Sequence, residues 1–111
     1  MLEAPGEAIL LRIFIGSDDV YENRPLAEAI VQKARAAHLA GATAMRGLLG
    51  FGLSAHIHEP GLLLSHDTPV LVEIVDTQAK IDAFLPELES MLGSAFVTTE
   101  RINVLRAGPK S

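Results

Sequence analysis

The sequence predicts an α+β fold in which strands and helices follow one another in the order β-α-β-β-α-β. Two short apolar runs rich in β-branched residues, 8–15 and 69–75, carry that prediction, because each is followed by apolar residues at helical spacing. After each helical stretch comes one further strand-like segment, 42–52 and then 95–106.

The first run, AILLRIFI, ends at Gly16-Ser17-Asp18-Asp19 and reads as a buried strand entering a loop. Leu26, Ile30, Ala34 and Ala37 then recur at helical spacing over about 25–39, with Pro25 suited to the first turn and Gly41 beyond the end. His38, near that end, is expected to interact favourably with the helix dipole. Residues 42–52 carry Gly47, Gly50 and Gly52 among Thr, Met, Leu and Phe, which suggests a strand with a bulge or a close backbone approach. A long connection at 53–67 holds three histidines, a Pro-Gly pair and a Leu triplet, and such loops are usually functional. The second apolar run, PVLVEIV, leads to Asp76-Thr77 as a helix cap and then to Ile81, Phe84, Leu85, Leu88 and Leu92. Pro86 is expected to kink this helix or to start a separate final turn. Gly93-Ser94 ends it, and 95–106 forms the last strand.

This order is the split βαβ arrangement called ferredoxin-like: a four-stranded antiparallel sheet with both helices on one face and the first and third strands central. The other face has no cover. Period-two alternation places Leu10, Arg12 and Phe14 of the first strand there, with Leu71, Glu73 and Val75 of the third. Charged residues among exposed Leu and Phe on adjacent central strands predict that copies of the chain hide this face.

At 111 residues the chain has the length of one domain, expected to span 1–111 with a core over about 8–106 and a frayed tail at 107–111. Hydrophobic residues at 49% and charged residues at 21% suit a globular fold. A net charge of -5 argues against nucleic acid or an anionic membrane as the main partner. Cysteine is absent, which excludes disulfides, thiolate metal sites and cysteine nucleophiles. The opening residues carry acids and a Pro-Gly break, so no export signal is expected, and charge-free runs are too short to span a bilayer. A cytoplasmic location follows as an expectation.

Few residues suggest chemistry. His56 and His58 would share one face of an extended segment and, with Glu59, could bind a divalent metal; the plainer alternative is a solvated loop that meets a partner. No serine lies in a G-x-S-x-G context, and Asp18 with Asp19 reads as turn and capping residues, so an enzyme is not expected. Gly47, Gly50 and Gly52 form neither a dinucleotide fingerprint nor a phosphate loop, yet they could expose backbone donors to a phosphate, with Arg46, Arg101 or Arg106 as the cationic side.

The run Leu11-Arg12-Ile13-Phe14-Ile15-Gly16, then Arg24-Pro25-Leu26, Ala40-Gly41-Ala42-Thr43, Arg46-Gly47, Gly50-Phe51-Gly52 and Ile74-Val75-Asp76-Thr77, resembles a family of uncharacterised PII-like proteins, domain of unknown function one hundred and ninety. That family is related to PII signal-transduction proteins, and the likeness covers roughly 9–106. It implies a homotrimer that binds a small anionic effector, such as an adenine nucleotide, in clefts between subunits. Thr43, Gly50, Phe51, Gly52, Glu73 and Arg106 are the positions so implicated. Segment 53–67, with Ser54, His56 and His58, would dock onto a target protein, and a membrane transporter or channel is one such target. Where PII proteins carry a Gly-Lys-rich phosphate loop, this chain reads Leu92-Gly93-Ser94-Ala95-Phe96, without lysine. The alternative implied by the shared architecture is divalent-metal handling through His56 and His58, as in divalent-cation tolerance proteins.

Overall fold

A computed structural model describes residues 2–48, 68–93 and 95–107. The chain runs β1 (Gly6–Gly16), β2 (Val20–Tyr21), β3 (Arg24–Pro25), α1 (Leu26–Ala36), β4 (Gly41–Arg46), β5 (Pro69–Asp76), α2 (Gln78–Leu92) and β6 (Phe96–Val104). The main sheet has the order β4-β5-β1-β6 and is antiparallel throughout, so β1 and β5 are central as the sequence predicts.

Alternation along β1 and β5 decides which side holds the core. Leu11, Ile13, Ile15, Val72 and Ile74 are almost wholly buried and pack against Ile30, Ala34, Ile81, Phe84 and Leu88 of the two helices. Their neighbours Leu10, Arg12, Phe14, Leu71, Glu73 and Val75 are only half-buried on the opposite face, as expected for a sheet covered on one side.

Between β1 and α1 the structure adds the β2–β3 hairpin, which the sequence reading missed. Its two-residue tip, Glu22-Asn23, has both φ angles positive, at 50° and 67°, the backbone of the mirror-image turn that matches strand twist. Asn23 was the available signal, since asparagine tolerates this conformation.

Helix α1 ends earlier than the sequence suggests, and Gly41 is not its stop. His38 takes the left-handed conformation, φ 61°, and donates its backbone N–H to Arg35 O at 3.0 Å, while Leu39 N–H donates to Ala34 O at 3.1 Å. That is the Schellman closure, made with histidine in place of the usual glycine. The backbone of His38 defines the helix end. Lys80 reinforces it: its Nζ donates to Ala37 O at 3.4 Å and His38 O at 3.3 Å.

Two buried or half-buried polar groups join the remaining ends. Asp76 accepts from Ala40 N–H at 2.8 Å and from Thr77 N–H at 2.7 Å, so one carboxylate ties the start of β4 to the start of α2. Thr77 caps α2, its hydroxyl accepting from Lys80 N–H at 3.2 Å. Helix α2 continues through Pro86, which is exposed, and no separate final turn forms.

Strand β4 pairs without interruption from Gly41 to Arg46 and shows no bulge over those residues. The close backbone approach expected in this segment occurs at Gly47, where a Cβ would stand 3.0 Å from the Pro69 ring. The neighbour that crowds this position is the chain itself.

Candidate functional site

The bare face of the sheet is organised in cross-strand rows, because residues directly opposite in the register share a face. One row runs Thr43, Glu73, Arg12, Thr98 from β4 across to β6. Beside it runs an apolar row, Met45, Leu71, Phe14, Phe96, and on the other side lie Gly41, Val75, Leu10 and Glu100. Met45 and Phe96, at the two sheet edges, are 43% and 46% exposed, so the apolar row reaches from edge to edge.

Arg12 occupies the centre and bridges two carboxylates. Its Nε donates to Glu73 Oε2 at 3.0 Å and its Nη1 donates to Glu100 Oε1 at 2.9 Å. These two hydrogen bonds, Glu73 first and then Glu100, hold the guanidinium pKa above its ordinary value. Arg12 therefore stays charged at every pH a folded protein meets. The sequence placed Arg12 and Glu73 together correctly but missed Glu100, which the same period-two reading of Phe96, Thr98, Glu100 and Ile102 would have brought to this face.

Of the residues implicated by resemblance, Thr43 and Glu73 are direct cross-strand partners. Among the described residues neither the Thr43 hydroxyl nor Glu73 Oε1 has a hydrogen-bond partner, which leaves a donor and an acceptor side by side. Arg106 is exposed and lies elsewhere, two residues past the end of β6. Strand β6 is the sheet edge opposite β4, and its last residue, Val104, is level with Gly6, whereas Thr43 is level with Arg12. Three strand spacings and six residues of rise separate Thr43 from Val104 by about 25 Å. One chain thus does not bring Arg106 to Thr43 and Glu73. Gly50, Phe51, Gly52, Ser54, His56 and His58 lie outside the described residues.

Among the described residues no three His, Asp or Glu side chains are arranged to hold a metal ion. No helix among them is long and apolar enough to cross a membrane.

Comparisons with known proteins agree with this architecture. The family model DUF190, described as Uncharacterized ACR, matches residues 8–104. A UPF0166 protein of Aquifex aeolicus (strain VF5) is 34% identical over 97 residues, covering 86% of this chain and 91% of that protein. Among solved structures, a proposed PII-like signalling protein of Thermus thermophilus superposes with a TM-score of 0.60 at 16% identity, over 89% of this chain and 90% of that one. CPII of Thiomonas intermedia K12, in a structure bound to ADP and bicarbonate, gives 0.58 at 20% identity over 91% of each chain. With β6-β1-β5-β4 order, one-sided helices and a model match over nearly the whole chain, the protein belongs to the DUF190 family and has the PII-like, ferredoxin-like fold.

Proposed function

We propose that this protein is a homotrimeric, cytoplasmic regulatory protein that binds a small anionic effector between its subunits and is not an enzyme. One observation carries the reading: Thr43 and Glu73 face each other on β4 and β5, while Arg106 stands past the end of β6, the opposite edge strand. A site that uses all three is completed only when a second copy brings its own Arg106 to the first copy's Thr43 and Glu73. The bare face, with its edge-to-edge apolar row, supplies the surface for that association.

An adenine nucleotide is the first effector to test. Thr43 and Glu73 offer one hydroxyl and one carboxylate acceptor, chemistry suited to the hydroxyl or amino groups of a nucleoside, and Arg106 offers a fork for phosphate. CPII, which shares the fold, was crystallised with ADP and bicarbonate. Gly50, Phe51 and Gly52 follow β4 in sequence and complete the proposed site, and 53–67, through Ser54, His56 and His58, carries the signal to a protein target such as a transporter or channel. Effector binding would bias that segment between two states, as in other ligand-driven switches.

Calorimetric titration of the protein with ADP, AMP, ATP and zinc tests this reading. Saturable nucleotide binding, one site per chain and weakened by Arg106→Ala, supports it. Nanomolar zinc binding lost on His58→Ala, with no nucleotide binding, would replace it with divalent-metal handling.

A further inference from the structure

The Arg12 network is only half satisfied within one chain. Three of the five guanidinium N–H groups have no partner among the described residues, and neither Glu73 Oε1 nor Glu100 Oε2 has one. Around it stand Leu10, Phe14, Leu71 and Val75, so the leftover donors and acceptors occupy the middle of an apolar surface. Once such a surface is covered, each unsatisfied polar atom costs free energy that apolar contact alone does not return. A generic apolar partner would strand these atoms. The leftover groups are, however, complementary to each other: the patch has spare donors on Arg12 and spare acceptors on both glutamates. A second copy of the same patch offers what the first lacks: acceptors for its spare donors and donors for its spare acceptors, a pairing that can pass from chain to chain around a closed ring.

We propose that on self-association Arg12 of one chain donates to a glutamate of the neighbouring chain's network, Glu100 foremost, and that this exchange sets how the open faces meet around the trimer. The proposal rests on the reading that sister chains cover this face and adds the residues that specify the contact. Glu100 is the favoured acceptor because its side chain is 57% exposed, against 28% for Glu73, and so reaches farther from the sheet. The neighbouring apolar rows supply most of the attraction, and the charges supply the register.

A charge-exchange experiment separates contact between chains from support within one. Native mass spectrometry and sedimentation equilibrium are run on the wild type, on Arg12→Glu and Glu100→Arg alone, and on their equimolar mixture. The expected result is an assembled wild type, two singly reversed chains whose association is weakened at least about tenfold, and a mixture that regains assembly in part, as heterotrimers in which two of the three contacts join opposite charges. Charge reversal that acts only within a chain gives no heteromer. If circular dichroism shows that a reversed chain does not fold, Arg12→Gln, Glu100→Gln and the double variant replace them. Each single change is then expected to weaken association about tenfold and the double change to add little, with the unfolding midpoint of the dissociated chain unmoved, which an effect within one chain would shift. Singly altered chains that assemble like the wild type, a mixture that forms no heteromer, or additive neutral changes overturn the proposal. A wild type that is monomeric at every concentration overturns both the proposal and the self-association beneath it. An assembled wild type with unaffected variants overturns the proposal alone.

Discussion

Phe14 and Phe96 lie opposite each other in the β1–β6 register on the uncovered face, ring centroids 5.6 Å apart and planes inclined at 60°. Their edge-to-face contact, with Leu71 and Met45 in the same row, forms a surface that water covers poorly. Phe14→Ser and Phe96→Ser are therefore expected to weaken self-association more than they weaken the folded chain. Sedimentation velocity should show a shift to smaller species, with the far-ultraviolet circular dichroism spectrum unchanged.

Phe84 is the contrasting case. It is 1% exposed between α2 and the helix-side face of the sheet. Phe84→Ala should destabilise the chain by about 3–5 kcal/mol through lost burial and the cavity left behind. Urea unfolding at a fixed chain concentration measures it.

Asp76 holds the amides of Ala40 and Thr77 from a position only 3% exposed. Asp76→Ala leaves two amides without acceptors and is expected to cost about 2–4 kcal/mol, whereas Asp76→Asn, which keeps one acceptor oxygen, should cost less. The order of the two unfolding midpoints is the check.

At the end of α1, His38 has φ 61° without glycine's freedom. His38→Gly removes a left-handed strain and loosens the unfolded chain, so a net gain of about 0.5 kcal/mol is expected; His38→Val should lose about 1–2 kcal/mol. Thermal melts of the three proteins should rank Gly above His above Val.

Much of the fold was legible in the residues. The runs 8–15 and 69–75 are so apolar and β-branched that no helical pattern competes, and they became the two central strands. Period-two alternation alone was enough to assign Arg12 and Glu73 to the open face. Element ends were less legible because backbone hydrogen bonds set them: α1 stops where His38 turns left-handed, a conformation histidine takes far less often than glycine. Of the two outcomes Pro86 allowed, the separate final turn does not form, because α2 runs unbroken from Gln78 to Leu92. At the candidate site, Thr43 and Glu73 were named through a resemblance, and their direct pairing needed the β4–β5 register. Glu100 escaped notice because β6 mixes polar and apolar residues on both faces, so the strand signalled no preferred side.

Whether sister chains hide the open face is tested most directly by the mass of the purified protein in solution at micromolar concentration, by sedimentation equilibrium or native mass spectrometry. A particle of about three times the 11.9 kDa chain mass is the expected result. A single 11.9 kDa species, unchanged as concentration rises, would contradict it and leave Arg106 permanently apart from Thr43 and Glu73.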